Sequence, residues 1–255
     1  MNLRPAIVGG RRQRPPTLLV ACVVCAALTA TGQAASAAAG TAPVKQTQAL
    51  VTLLREHEAR AGPGIRSTPL EQVPATTPIT GERTTLPVLA RRGRWLHVAL
   101  PGRPNGHTGW ILAGKTVRSV THWHIVVDTS RRTVTVYRAG AAVRTFEAVV
   151  GKPSTPTPTG DFFIEESIAL QTTDVGAPYA LALSARSNVL QEFDGGPGQI
   201  ALHGLLNVGG VPGTAVSHGC VRLDTQAMRW LVARVGPGVP VTITRGAAHA
   251  VRFGV

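Results

Sequence analysis

The chain of 255 residues carries 26 Lys and Arg against 13 Asp and Glu, a formal net charge of +13, which excludes an acidic protein. Hydrophobic residues make up 44% and charged residues only 15%, which excludes a generically disordered polyelectrolyte. With 28 Gly and 19 Pro the chain is richer in turn formers than usual, so a mainly β protein with one or two cores is expected rather than a helical bundle.

The first 39 residues read differently from the rest. Arg4, Arg11, Arg12 and Arg14 precede an uncharged stretch from Thr17 to Ala30, and small residues follow, Gln33-Ala34-Ala35-Ser36-Ala37-Ala38-Ala39. A charged start, an apolar middle and an A-x-A-like end form the pattern of a secretory signal. Residues 1–39 are therefore expected to be a signal peptide cleaved near Ala37 or Ala39. An uncleaved membrane anchor is the alternative, because Thr17 to Ala39 carries no charge. Only a short apolar run precedes Cys22, which disfavours a lipoprotein signal, and Arg11-Arg12 lacks the flanking hydrophobics of a twin-arginine signal.

Loss of residues 1–39 leaves 22 basic residues against 13 acidic ones, a net +9. An exported cation of this kind is attracted to anionic cell wall and membrane surfaces. Nucleic acid is not expected as a partner, since the basic residues are spread out without a dense run or interleaved aromatics. Cys22 and Cys25 go with the signal, so Cys220 remains alone. A single thiol in an exported protein closes no internal disulfide and is left to be inert, intermolecular or nucleophilic.

From Thr41 to Gly62, Leu50, Val51, Leu53 and Leu54 with Arg55, Glu56 and Glu58 suggest a short amphipathic helix, a spacer over 40–64 stopped by Gly62-Pro63-Gly64. Residues 84–120 alternate short apolar runs with turns, among them Trp95-Leu96-His97-Val98 and Gly109-Trp110-Ile111, and read as a small barrel within 65–120. Here the chain resembles a bacterial SH3-like module, with Trp95 and Trp110 as core residues.

A second β region starts at Trp123. Trp123 to Asp128, Thr133 to Tyr137 and Val143 to Val150 are predicted to form an antiparallel meander. Gly151 to Gly160 contains three prolines and reads as an ordered loop leading to a strand from Asp161 to Glu166. After Cys220, Asp224 is a plausible N-cap for the apolar pattern Ala227, Met228, Leu231, Val232, Val235, which Gly236-Pro237-Gly238 stops before a last strand, Val239 to Thr244.

Chemistry concentrates in Ile200-Ala201-Leu202-His203-Gly204 and Ser217-His218-Gly219-Cys220-Val221-Arg222-Leu223. A cysteine attacks as thiolate and needs an imidazole or a helix N-terminus to activate it. His203 supplies the imidazole if the connecting loop folds back, and a backbone carbonyl is the expected acceptor that fixes its tautomer. Turn amides at His218, Gly219 and Cys220 are candidates for holding a tetrahedral oxyanion.

The phrase Ser-His-Gly-Cys-Val-Arg-Leu, preceded by His203-Gly204, closely resembles the signature of the L,D-transpeptidases, the YkuD-type catalytic domain. The resemblance covers Trp123 to Thr244, including Val149 to Pro153 and Thr157 to Gly160, and the SH3-like segment fits the actinobacterial subgroup. It implies a YkuD-type β-sandwich over 121–245, with a short helix after the cysteine, a small SH3-like β-barrel before it, and a tail over 246–255. It also implies an enzyme whose cysteine acylates on a peptidoglycan stem tetrapeptide and passes the acyl group to a second stem, with no metal or cofactor.

Carried over by residue, Cys220 is the nucleophile, His203 the base and acid, and Gly204 the orienting carbonyl. Gly219 and His218 are oxyanion or orienting groups. Ser217, Arg222 and Tyr179 are substrate-side residues, with two alternatives open: Arg222 pairs with a substrate carboxylate or braces the turn, and Tyr179, lying where the family carries a lid, covers the site or simply packs. Leu205 departs from the small polar residue common after His-Gly. A papain-like hydrolase places its cysteine before its histidine, the reverse of the order here. A zinc site from His203, His218 and Cys220 lacks a fourth ligand, and a non-catalytic wall-binding protein would not need the intact motif.

Overall fold

The computed structural model describes residues 44–193 and 195–246. The expected export segment, 1–39, and nearly all of the expected tail lie outside the described residues.

The first seven strands are β1 (Gln48–Leu53), β2 (His57–Arg60), β3 (Pro69–Val73), β4 (Thr85–Arg92), β5 (Trp95–Ala99), β6 (Thr108–Leu112) and β7 (Thr116–Thr121). They form one sheet in the order β3-β2-β6-β5-β4-β1-β7. Val51, Leu53, Leu86, Leu96, Val98 and Ile111 share its core. The expected helix over 40–64 is corrected to β1 and β2, so the sheet begins well before residue 65. The physical reason is the position of β1 between β4 and β7, where Leu50, Val51 and Leu53 are all buried. An apolar run buried on both faces has no alternation to distinguish it from a helical stripe. Trp95 is buried as expected, whereas Trp110 is only half-buried and stacks on His97 at 4.7 Å between centroids.

The second part contains β8 (Trp123–Asp128), β9 (Thr133–Arg138), β10 (Ala141–Glu147), β11 (Val150–Gly151), β12 (Gly160–Ala169), β13 (Tyr179–Arg186), β14 (Gln199–His203), β15 (Ala215–Ser217), β16 (Val221–Arg222), the helix α1 (Thr225–Val232) and β17 (Pro240–Thr244). Eight of these strands form the order β10-β9-β8-β17-β12-β13-β14-β16, and β11 pairs with β15. The predicted meander is β8, β9 and β10, all antiparallel. Val127 and Val136 from one end of the sheet share a core with Leu202 and Val221 from the other, so the sheet folds over on itself as a sandwich.

Asp224 caps α1, its carboxylate accepting from Ala227 N–H at 2.7 Å, and Ala227, Met228 and Leu231 bury the helix against the sandwich. β12 is the wall common to both parts. Phe162 and Ile164 face the sandwich core, while Phe163 between them enters the core of the first sheet, the period of two applied to a strand covered on both faces. Farther along β12, the fully buried Glu166 accepts from Ile79 N–H (3.2 Å), Thr80 N–H (2.8 Å) and the Thr80 hydroxyl (2.9 Å) through Oε2.

Candidate active site

The last strands of the folded sheet bring the two chemical phrases together. β14 and β16 run parallel, with Leu202 opposite Val221 and His203 opposite Arg222. Leu202 and Val221 are fully buried in the sandwich core, so their chain neighbours His203, Cys220 and Arg222 turn to the other face. Thus a loop of twelve intervening residues, 205–216, folds back and places a thiol and an imidazole on one side of the sheet edge.

His203 Nδ1 donates to the Gly204 carbonyl at 2.8 Å, which leaves Nε2 as the free acceptor. Gly204 must be glycine, because a Cβ there would collide with the Ala177 carbonyl. On the other side, Gly176 has φ +85° and packs against the ring so closely that an added Cβ would stand 2.5 Å from His203 Nδ1. Gly204 N–H donates to the Gly176 carbonyl at 2.7 Å, closing the segment against the histidine. Burial lowers the His203 pKa from 6.5, the Gly204 carbonyl opposes that shift, and the Arg222 charge adds to it. The imidazole is therefore neutral at pH 7.

Cys220 is half-buried. Its thiol faces the Gln199 carbonyl at 4.0 Å. Burial pushes its pKa above 9.0, while the Ala201 backbone and the Arg222 charge pull the other way. The resting pair is thus a neutral thiol and a neutral imidazole.

The turn before the cysteine is held from inside. Ser217 is fully buried, and its hydroxyl donates to the Cys220 carbonyl at 2.6 Å and accepts from Gly219 N–H at 3.1 Å. The expectation that Ser217 touches substrate is corrected accordingly: its hydrogen-bonding groups are spent on the turn. The same contact engages the Gly219 amide, so of the three amides considered for an oxyanion it leaves those of His218 and Cys220. Gly219 adopts φ +124°, a conformation that side chains rarely take.

Arg222 is buried, donates through one terminal nitrogen to the Gly209 carbonyl, and leaves Nε without a partner. It braces the 205–216 loop from within. His218 is exposed, stacks on Phe193 at 5.5 Å and lies 3.4 Å from Lys152 Nζ. Tyr179 packs against the sandwich core, one residue out of phase with Ala180, the partner of His203. Of the two roles open for it, this is the packing one; the neighbouring Gly176 is the residue of that segment in contact with the imidazole.

A pocket at the thiol is lined by Ser187, Leu190, Phe193, Gly198, Gln199, Ile200, His218 and Cys220. Phe193, Gln199 and Gly176 escape a reading of the sequence. An aromatic set in the glycine-rich run 193–198 and a glycine just before Ala177-Pro178 are the signals that could have found them. Among the described residues no group of three or more His, Cys, Asp or Glu is arranged to hold a metal.

A thiol, an imidazole with its tautomer pinned, and a braced turn with amides to spare are the parts of a cysteine-dependent acyl-transfer site. Residues 122–243 match the YkuD family model, the L,D-transpeptidase catalytic domain, and this match together with the relatives below supports an enzyme of that kind. It is similar to L,D-transpeptidase 1 of Mycobacterium tuberculosis, 28% identical over 198 residues, covering 62% of this chain and 75% of the relative. It is also similar to the putative L,D-transpeptidase YkuD of Bacillus subtilis, 29% identical over 148 residues, covering 58% and 74%. Among solved structures, L,D-transpeptidase 3 of Mycobacterium tuberculosis in complex with a faropenem-derived adduct aligns with a TM-score of 0.40 at 15% identity, over 58% of this chain and 78% of the other.

Proposed function

We propose that this is an exported peptidoglycan L,D-transpeptidase in which Cys220 is the nucleophile and His203 the general base and acid. The observation that carries the reading is the β14–β16 register, which sets a tautomer-fixed His203 on the same face as Cys220. Because both groups rest neutral, the thiol proton moves to His203 Nε2 as Sγ attacks the carbonyl before the terminal D-residue of a stem tetrapeptide. The amides of His218 and Cys220 hold the oxyanion. The C–N bond breaks, the departing amine takes the proton from His203, and a thioester remains on Cys220. A side-chain amine of a second stem then attacks the thioester, losing its proton to His203, and the thiol is restored as the cross-link forms.

The N-terminal sheet is the SH3-like module in this reading, and it holds the enzyme near its polymer. Residues 1–39 direct export, and the net +9 carried by residues 40–255 favours the anionic wall. Incubating the chain from residue 40 onward with a defined tetrapeptide stem and a diamino-acid acceptor, with mass analysis of the products, tests the activity. Cross-linked product that disappears in Cys220→Ala is the expected result. Absence of any Cys220-dependent product would overturn the proposal.

A further inference from the structure

One wall of the pocket at Cys220 is built from a segment with almost no regular structure. Residues 187–198 run between β13 and β14 and contribute Ser187, Leu190, Phe193 and Gly198 to the pocket, with Phe193 stacked on His218. Among the described residues of the segment, a local pair between Phe193 and Gly196 (2.9 and 3.0 Å) and the Ser187 N–H bond to the Gly198 carbonyl (2.8 Å) join backbone to backbone. A free loop of that kind leaves the pocket poorly defined, because each residue retains its conformational entropy.

The missing constraint comes from the other sheet. The loop between β5 and β6 carries Arg103, whose guanidinium donates to three carbonyls of the segment: Pro197 O at 2.8 Å, Ser187 O at 2.8 Å and Leu190 O at 3.2 Å. One planar fork therefore ties the beginning, middle and end of the wall together, and a single charged group is held by three oxygens that would otherwise face one another. Asn105, two residues on, fixes the root of the same segment. Its Nδ2 donates to Arg186 O at 2.7 Å and Asn188 Oδ1 at 3.0 Å, and its Oδ1 accepts from Arg186 N–H at 2.8 Å.

We infer that Arg103 and Asn105 are positioning residues for acyl-donor binding, so that the N-terminal sheet sets the shape of the pocket that receives the stem peptide. Neither side chain belongs to the pocket lining; both act through the 187–198 wall. The inference rests on the acyl-transfer reading for its substrate, and on geometry alone for the clamp itself. It separates two jobs of the N-terminal sheet. Tethering near the wall polymer adds local concentration, whereas the clamp alters recognition even of a small soluble stem.

The test compares the chain from residue 40 onward with its Arg103→Ala, Asn105→Ala and Arg103→Lys forms, each checked for a cooperative melt. Three readouts are taken: steady-state kinetics on a soluble tetrapeptide stem, amide hydrogen exchange of the 187–198 segment, and the rate at which iodoacetamide alkylates Cys220. In Arg103→Ala, KM is expected to rise roughly ten-fold with kcat within about two-fold. Exchange at Ser187, Phe193 and Gly196 is expected to accelerate, and alkylation not to slow. Asn105→Ala should show the same pattern in weaker form, and Arg103→Lys should recover part of the KM, since one ammonium reaches fewer of the carbonyls.

Unchanged exchange and KM in the alanine forms, or a fall in kcat without a rise in KM, would overturn the clamp. If the parent chain fails to use the tetrapeptide at all, the substrate reading falls, and the exchange and alkylation results still decide the clamp. Should Arg103→Ala not fold, Asn105→Ala and Arg103→Lys carry the same comparison.

Discussion

His203 stands one residue past Leu202, and Cys220 one residue before Val221, so across the parallel β14–β16 pair the imidazole and the thiol occupy the same face, offset along the strands. This relationship makes their electrostatics a joint property. The Arg222 charge lowers the pKa of both groups, while burial, the larger effect on each, lowers His203 and raises Cys220. The two reactive groups are pushed away from an ion pair and toward a neutral resting state, and proton transfer belongs to the attack itself.

The pH dependence comes from those directions. Protonation of His203 removes the base, and its folded pKa lies below 6.5, so the acid limb of kcat/KM should fall below pH 6.5. His203→Ala should cost about 100-fold or more in kcat/KM, as expected for loss of a general base, and should abolish that limb. His218→Ala, which loses contacts to Phe193 and Lys152 on the exposed rim, should cost much less. A larger defect in His218→Ala than in His203→Ala would reverse the assignment.

Ser217→Ala isolates the brace beneath the nucleophile. It removes the acceptor of the buried Gly219 N–H and the donor to the Cys220 carbonyl. A buried donor left unpaired costs about 1–3 kcal/mol, so the denaturation midpoint should drop correspondingly, and acylation should slow because the turn that presents Sγ loosens. Unchanged stability together with unchanged acylation would show that the hydroxyl is dispensable.

His124 governs acid stability away from the site. It is buried on β8, its Nε2 donating to Thr242 Oγ1 at 2.9 Å, and Thr242 donates in turn to Asp161 at 2.7 Å. Burial lowers the His124 pKa to about 4 from 6.5. Below pH 6.5 the unfolded chain takes up a proton that the folded chain refuses, so the stability present above 6.5 is lost progressively as pH falls to about 4. The loss from this one group amounts to about 3 kcal/mol. Chemical denaturation at pH 7, 5.5 and 4 should show the decline, and His124→Gln should flatten it. An equal slope in the variant would assign the acid sensitivity elsewhere.

Legibility in the sequence divides by the range of the interactions involved. The meander from Trp123, the Asp224 cap and the His203–Gly204 contact depend on neighbours within a few residues, and alternation, capping and glycine placement expose them directly. β1 reads as a helix because its apolar run is buried by β4 and β7, partners more than 30 residues away. Motif position assigns Ser217 to substrate, yet burial turns its hydroxyl into the turn, and it leaves open for Tyr179 the packing against the core that the fold shows. Arg103 is silent for the same reason as β1, since its partners lie more than 80 residues along the chain. Side-chain direction and long-range carbonyl partners are properties of the folded sheet, and a local pattern does not encode them.

The central claim, that Cys220 is an activated acyl acceptor, is tested most directly by covalent capture. A carbapenem presents a strained amide that a thiol assisted by His203 should open as it opens a stem peptide, and Cys220 is the one cysteine after residue 39. Intact-mass analysis of the chain from residue 40 onward should show a single adduct, mapped to the peptide containing Cys220 and absent from Cys220→Ala. No adduct on folded protein, or an adduct that persists in Cys220→Ala, would contradict the account.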